Sequence, residues 1–342
     1  MIKWLSVPEE TKKNAYTQIA EQTGMTPFAV EKDWWVVQTL GIVFAMEVSS
    51  HLVFKGGTSL SKAWKLIQRF SEDIDLAIDR EFFGFKGELS KKQRQKLRKE
   101  SGKYIEEVFV PELKVKFEEK GITGVRIELV PEPESDKDRK INIFYTTIID
   151  SPGYLEPQVQ IEISSRSLRE PCSLQTFNSL VDEHYPDQDF AQASISVATV
   201  NPERTFLEKL FLLHEEFHRT KENRRVDRLS RHIYDIVKLS ETEFANKALE
   251  NKGLYETIVD HRYKFNRVGG VDYNLHQPQT LNPVPPDEII DNWKKDYSIM
   301  LERMIYEEDP PSFENVITKL KELTARINAL PWKFEKVYPI SK

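Results

Sequence analysis

One cysteine, Cys172, stands among 342 residues. A lone thiol cannot close a disulfide within the chain or build a thiolate metal cluster, and it points to a reducing compartment, the cytoplasm. No apolar run approaches the roughly 20 residues that a membrane-spanning helix needs, so no membrane partner is expected. The opening stretch, MIKWLSVPEETKKN, carries no apolar core of a signal peptide. Repeats and low-complexity linkers are lacking too. The net charge is only −6 at pH 7, which argues against a protein that coats nucleic acid and leaves room for local basic patches. What the chain does have is length and enough apolar residues for a sizeable core, and a chain of this size is expected to form two domains or one large domain with an extension.

Punctuation residues divide it. Ser6, Pro8 and Glu9 mark a helix start and Gly24 its stop. Thr26-Pro27 opens a second, largely apolar helix through EKDWWVVQTLGIVFAM. Strands are expected at His51–Lys55, Asp73–Asp79, 124–130 (GVRIELV), 140–148 (KINIFYTTI), 157–164 (PQVQIEIS) and Ser194–Val200. A charged helix should run from Ser90 to Val110 and stop at Pro111. From Asn201-Pro202 the pattern turns helical: PERTFLEKLFLLHEEFH, then VDRLSRHIYDIVKL, a long loop over 266–287, and two closing helices. The reading is an α/β (α+β) chain, with a mixed-sheet domain over 1–200 behind N-terminal helices and a mainly helical domain over 201–342.

The most informative stretch is FKGGTSLSKAWKLIQRFSEDIDLAI. A strand ends in Gly56-Gly57, where the backbone can approach a ligand closely. Thr58 and Ser59 then sit in the first turn of an expected helix, SLSKAWKLIQ, with Thr58 as its cap. Backbone N–H groups there would suit a triphosphate. Asp73 and Asp75, at i and i+2 of a strand, point to one face while Ile74, Leu76 and Ile78 point to the other. Adjacent carboxylates repel unless cations lie between them, and magnesium prefers carboxylate, water and phosphate oxygens. Arg69 and Ser71 flank the strand, Arg69 as a phosphate partner.

This order of strand, Gly-Gly, helix and D-x-D strand resembles the signature of DNA polymerase β-like nucleotidyltransferases. The fuller string GGTSLSK…RFSEDIDL is similar to the AbiEii/AbiGii toxin branch, as are EKDWWV, NPERTFLEKL and the R-x-x-YD of Arg231, Tyr234 and Asp235. The resemblance spans about residues 26 to 240. It implies transfer of NMP from an NTP to an acceptor, with two magnesium (or manganese) ions. It also implies a bacterial toxin of a toxin–antitoxin or phage-defence system, and so a cognate antitoxin. A third metal carboxylate is expected on a neighbouring strand, Glu162 with Glu128 as its rival. Lys209 matches the branch's later lysine, a partner for triphosphate oxygens, and Asp235 its later aspartate, read here as facing solvent or a cleft. The acceptor implied is the tRNA 3′ end, blocked against aminoacylation. A protein or small-molecule hydroxyl would use the same chemistry.

Two further features compete or support. His214-Glu215-Glu216-Phe217-His218 matches H-E-x-x-H, the helical arrangement of zinc proteases. His214 falls inside the apolar arc of its helix, which favours a core histidine. Lys91, Lys92, Arg94, Lys96, Arg98, Lys99 and Lys103 crowd one helix, and Arg224, Arg225, Arg228 and Arg231 another. Such clusters would track an RNA backbone through phosphate contacts, or simply be solvated surface.

Overall fold

The structure, a computed structural model, describes residues 2–131, 139–150, 156–166 and 171–339. The chain forms two compact units. The first is Met1–Lys65 with Arg69–Val200, and the second Leu66–Gln68 with Asn201–Lys342. No helix among the described residues is long and apolar enough to cross a membrane.

The first unit opens with α1 (Glu9–Thr23), closed by Gly24 at φ 72°. There a left-handed residue is needed to end the helix, and glycine adopts that conformation without a Cβ clash. Helix α2 (Pro27–Val43) is capped by Thr26, whose hydroxyl accepts the Ala29 N–H at 3.2 Å. Apolar residues lie all round α2, and a helix of that kind is buried; Val30, Trp34, Val37 and Leu40 are each nearly or wholly inaccessible. Strand β1 (Leu52–Lys55) leads to a single turn, α3 (Gly56–Thr58), and then to β2 (Asp73–Ile78). Helices α4 (Lys91–Tyr104) and α5 (Val110–Glu119) follow. Next come β3 (Arg126–Leu129), β4 (Arg139–Phe144), β5 (Gln158–Ser164) and β6 (Cys172–Phe177). Short α6 (Leu180–His184) and β7 (Ile195–Val200) complete the unit.

The seven strands make one mixed sheet in the order β3-β4-β5-β2-β1-β7-β6. The pairs β2–β5 and β1–β7 are parallel, and the rest antiparallel. Period-two alternation sorts the faces. Leu52, Phe54, Ile74, Leu76, Ile141, Ile161 and their alternates enter the main core with α2. The opposite face therefore carries Lys55, Asp73, Asp75, Lys140 and Glu162.

Two expectations need correction, and one strand carries no sequence signal. The helix after Gly56-Gly57 is not the ten residues of SLSKAWKLIQ: a π-turn over Ser59–Ala63 ends it, and Thr58 is not its cap. Lys65 takes a left-handed φ of 53°, and the Trp64 indole donates to the Val200 carbonyl at 3.0 Å. Leu66–Gln68 is then drawn into the second unit, where Gln68 bonds Tyr234 and Tyr306. Tertiary bonding wins over helix propensity. Pro111 does not stop a helix either. It sits in the first turn of α5, after a π-turn over Ile105–Phe109, where a missing N–H costs nothing. Finally, β6 has no strand signal in CSLQTF. It is an edge strand paired only with β7, so it needs no buried face, and Leu174 is largely exposed.

The second unit is helical: α7 (Pro202–Phe217), α8 (Ser230–Ser240), α9 (Glu243–Glu250), α10 (Lys252–Phe265), α11 (Ile290–Met304) and α12 (Phe313–Asn328). Its core answers the H-E-x-x-H question. Glu215 is buried and accepts from Arg262 Nε at 2.8 Å and from His276 Nε2 at 3.2 Å. Burial alone would raise the Glu215 carboxyl, but Arg262 and His276 outweigh it and pull the group down to about 2. His218 donates Nδ1–H to the His214 carbonyl at 2.7 Å, and His214 Nδ1 accepts from Asn282 N–H at 3.0 Å. Among the described residues no three or more His, Cys, Asp or Glu side chains are placed to hold a metal. The zinc-protease reading fails because its glutamate is committed to an arginine.

The same cluster makes stability depend on pH. Burial, reinforced by His276 and His218, holds His214 well below 6.5, and burial holds His276 below 6.5 against the pull of Glu215. Both rings are therefore neutral in the fold near neutrality. Below 6.5 the unfolded chain takes up protons that the folded chain refuses, so their contribution is complete above 6.5 and lost as pH falls. The denaturant midpoint at about pH 5.5 should thus lie below that at about pH 7.5. A His276→Gln variant should narrow the gap; an unchanged gap would mean that other groups set it.

Candidate active site

The site forms where β1 ends. Gly56 has φ 81°, and a Cβ there would lie 1.9 Å from Asp75 Oδ2. A Cβ on Gly57 would lie 2.6 Å from Arg69 Nη2 and 2.8 Å from Ser71 Oγ. The glycines thus let the turn press against the Asp75 carboxylate on one side and the Arg69–Ser71 pair on the other. Thr58 and Ser59 turn out to be internal struts. Thr58 Oγ1 donates to the Asp73 carbonyl and lies 3.0 Å from Ser71 Oγ, while Ser59 Oγ donates to the Gly56 carbonyl at 2.9 Å. Both residues are buried, as is Arg69, which also donates to the Phe70 carbonyl at 3.2 Å. Because α3 is one turn long, its aligned dipoles are too few for a macrodipole argument; close backbone approach is what remains.

The strand register then builds a row of charge. Lys55 lies opposite Asp75, Asp75 opposite Glu162, and Glu162 opposite Lys140, across β1, β2, β5 and β4 on one face. Lys140 Nζ forms an ion pair with Glu162 and reaches Gln160 Oε1 at 3.3 Å. Glu128 lies on edge strand β3, with β4 and β5 between it and β2, and pairs with Arg126. Of the two rivals, only Glu162 is a neighbour of Asp75. Lys55 and Lys140 were not singled out from the sequence; Lys140 opens the K-I-N-I-F alternation, and only the register reveals its partner.

Divalent metal suits this donor set in one respect. The space that a Cβ on Gly56 would fill is left to the Asp75 carboxylate, and Asp73 leaves β2 on the same face. Since no three-ligand cluster exists among the described residues, the protein would supply Asp73 and Asp75. Magnesium is commonly held that way, by one or two carboxylates plus phosphate oxygens and water.

Three consecutive charged residues on α2 support the site from below. Lys32 Nζ donates to Glu72 at 2.8 Å and to the Glu156 carbonyl at 2.9 Å. Asp33 accepts from Lys62 Nζ at 3.0 Å and from Leu180 N–H at 2.7 Å. Glu31 accepts from Ile148 N–H at 3.1 Å and from the Thr147 hydroxyl. Thus Lys32 pins the residue before Asp73, and Asp33 pins the turn after Gly56-Gly57. Burial pushes both acidic side chains upward, and these bonds pull them back.

In the second unit, Lys209 Nζ and Asp235 Oδ2 form an ion pair at 2.8 Å. Asp235, whose helical position suggests solvent or a cleft, is fully buried. The neighbouring Tyr234 hydroxyl donates to Glu307 at 2.8 Å. The arginine cluster is partly structural as well: Arg224 bonds Glu288, and Arg225 Nη2 reaches Glu216 at 2.6 Å. On α4, by contrast, Lys91, Lys92, Lys96, Lys99 and Lys103 are exposed.

The family described as nucleotidyl transferase AbiEii toxin of type IV toxin–antitoxin systems matches residues 44–319. The chain belongs to that nucleotidyltransferase toxin family, and both the Gly-Gly turn and the D-x-D strand fall within the match. Among solved structures it is similar to MenT4, a nucleotidyltransferase toxin from Mycobacterium tuberculosis H37Rv. That similarity covers 92% of this chain and 98% of that one, at 16% identity and a TM-score of 0.43. No curated protein matches.

Two variants test the geometry. Gly56→Ala should cost about 1–2 kcal/mol for the left-handed conformation and, by displacing Asp75, reduce transferase activity at least about 100-fold. Retained activity in a folded Gly56→Ala protein would contradict the contact. Lys32→Met removes the Lys32–Glu72 ion pair and should lower stability by about 3 kcal/mol, read from urea unfolding.

Proposed function

We propose that the protein transfers a nucleoside monophosphate from an NTP to an acceptor hydroxyl in a metal-dependent reaction, and that the acceptor is the 3′ end of tRNA. The observation that carries the reading is the contact of Gly56 with the Asp75 carboxylate, with Asp73 on the same face, in a member of a nucleotidyltransferase family. In this reading the Gly56–Ser59 backbone, Arg69 and Ser71 hold the triphosphate, with Arg69 neutralising phosphate charge. Asp73 and Asp75 hold magnesium or manganese, with Glu162 at the margin, balanced by Lys140. When bound, the metal supplies a lowered pKa for the attacking hydroxyl and charge neutralisation for the leaving pyrophosphate. The roles of Lys209 and Asp235 in the reaction rest on the family resemblance, as do a cognate antitoxin partner, phage defence and a cytoplasmic setting.

The tRNA reading draws on the exposed lysines of α4, which suit a polyanionic acceptor. Purified protein incubated with total bacterial tRNA, magnesium and each α-labelled NTP should label tRNA, and Asp75→Ala should not. Label on the protein or on lysate proteins would instead establish protein nucleotidylation. No transfer to any acceptor would contradict the proposal. Lys209→Met should separate the family-based role from a structural one: if Lys209 serves the triphosphate, the KM for NTP rises while the unfolding midpoint falls, because the buried Asp235 loses its Lys209 ion pair.

A further inference from the structure

Along β2 the site has two ends. At the Asp73 end lie Gly57, Arg69 and Ser71, the groups that hold the triphosphate in the proposed reaction. At the other end, a cavity of about 340 Å³ opens on the same unit, with Val53, Ala77 and Ala198 among its lining residues. Val53 pairs with Ala77 as Lys55 pairs with Asp75, so these residues share the face of the catalytic carboxylates. Ala77 is two residues beyond Asp75, and two residues of strand span about 7 Å. The ladder continues past the strand, with Asp79 N–H donating to the His51 carbonyl at 2.9 Å. Asp75 therefore lies between the phosphate-holding turn and the cavity.

In-line displacement at an α-phosphate requires the attacking oxygen opposite the departing pyrophosphate. With pyrophosphate on the Gly57 side, the attacking hydroxyl enters from the cavity side, and about 7 Å is within the span of a single nucleoside. We propose that this cavity is the acceptor subsite and that it takes the terminal nucleoside of an RNA, one whose base carries an exocyclic amino group. The inference rests on the transferase reading of the preceding section.

The chemistry of the walls selects that ligand. Val53, Ala77 and Ala198 give a small, flat apolar floor. His51, an exposed residue, also lines the cavity, with its ring 5.0 Å from that of Phe82, a surface on which a base can stack. Asp79 and Glu81 line the cavity as acceptors, with only Lys86 as a cationic donor. Carboxylates accept from base amino groups and repel phosphate. The cavity is thus unsuited to a second triphosphate and suited to cytidine or adenosine over uridine. A volume near 340 Å³ lies at the small end of ligand sites, as a single nucleoside requires.

Cys172, the only cysteine of the chain, also lines the cavity and reports on its occupancy. The rate of Cys172 alkylation by N-ethylmaleimide would be measured on the intact protein with adenosine, cytidine, uridine, or a magnesium complex of a non-hydrolysable NTP. Cytidine or adenosine should slow alkylation at least about threefold, uridine less, and the NTP analogue should not protect. Equal protection by all nucleosides, or none by any, would overturn the assignment, and neither result depends on transferase activity. In steady-state transfer to tRNA, Ala198→Leu and His51→Ala should raise the KM for tRNA about tenfold with the KM for NTP unchanged. Wild-type KM for tRNA in both variants would also overturn it, while failure of the tRNA reaction itself would be seen first in the wild-type protein.

Discussion

Three consecutive charged residues on one helix, Glu31 and Lys32 buried and Asp33 nearly so, are tolerable only if each finds a partner, and on α2 the partners are the segments that make up the site. Lys32 takes Glu72, Asp33 takes Lys62 and the Leu180 N–H, and Glu31 takes the connection after β4. An isolated buried charge costs several kcal/mol, so docking α2 with these loops misplaced would leave uncompensated charges in a core of Trp34, Val37 and Leu40. The fold and the site are in this way a single constraint. The segment before Asp73 and the turn after Gly57 are fixed by the same helix that fills the sheet's apolar face.

Above that foundation the site is made by subtraction. Positions 56 and 57 carry no Cβ because each would intrude on a neighbour, the first on Asp75 and the second on Arg69 and Ser71. The hydroxyls of Thr58 and Ser59 are spent on holding the turn, so any ligand there meets backbone more than side chain. Across the strands the adjacent carboxylates of Asp75 and Glu162 are flanked by a lysine on either side, Lys55 and Lys140, which moderates the repulsion they would otherwise suffer.

Much of this is legible in the sequence, and the rest is hidden for physical reasons. Alternation in DIDLAID and QVQIEIS places Asp73, Asp75 and Glu162 on the correct face, because strand period is local. The partner of Glu162 is not local: Lys140 is 22 residues away and meets it only through register. Helix length after Gly57 is not legible locally, since Trp64, Lys65 and Gln68 answer to distant parts of the chain. Asp235 reads as a surface acid on its own helix; its buried partner Lys209 is on another. The H-E-x-x-H string shows the opposite hazard, a local match whose glutamate belongs to Arg262.

The central claim is that the Gly56–Gly57 turn and the Asp73–Asp75 pair form one magnesium-dependent nucleotide site. Calorimetric titration of a non-hydrolysable NTP into the protein, with and without magnesium, tests it most directly. The account predicts one site per chain that binds with magnesium, weakens at least about tenfold on chelation, and is lost in Asp73→Asn. Equal affinity without magnesium, or undiminished binding in a folded Asp73→Asn protein, would contradict it.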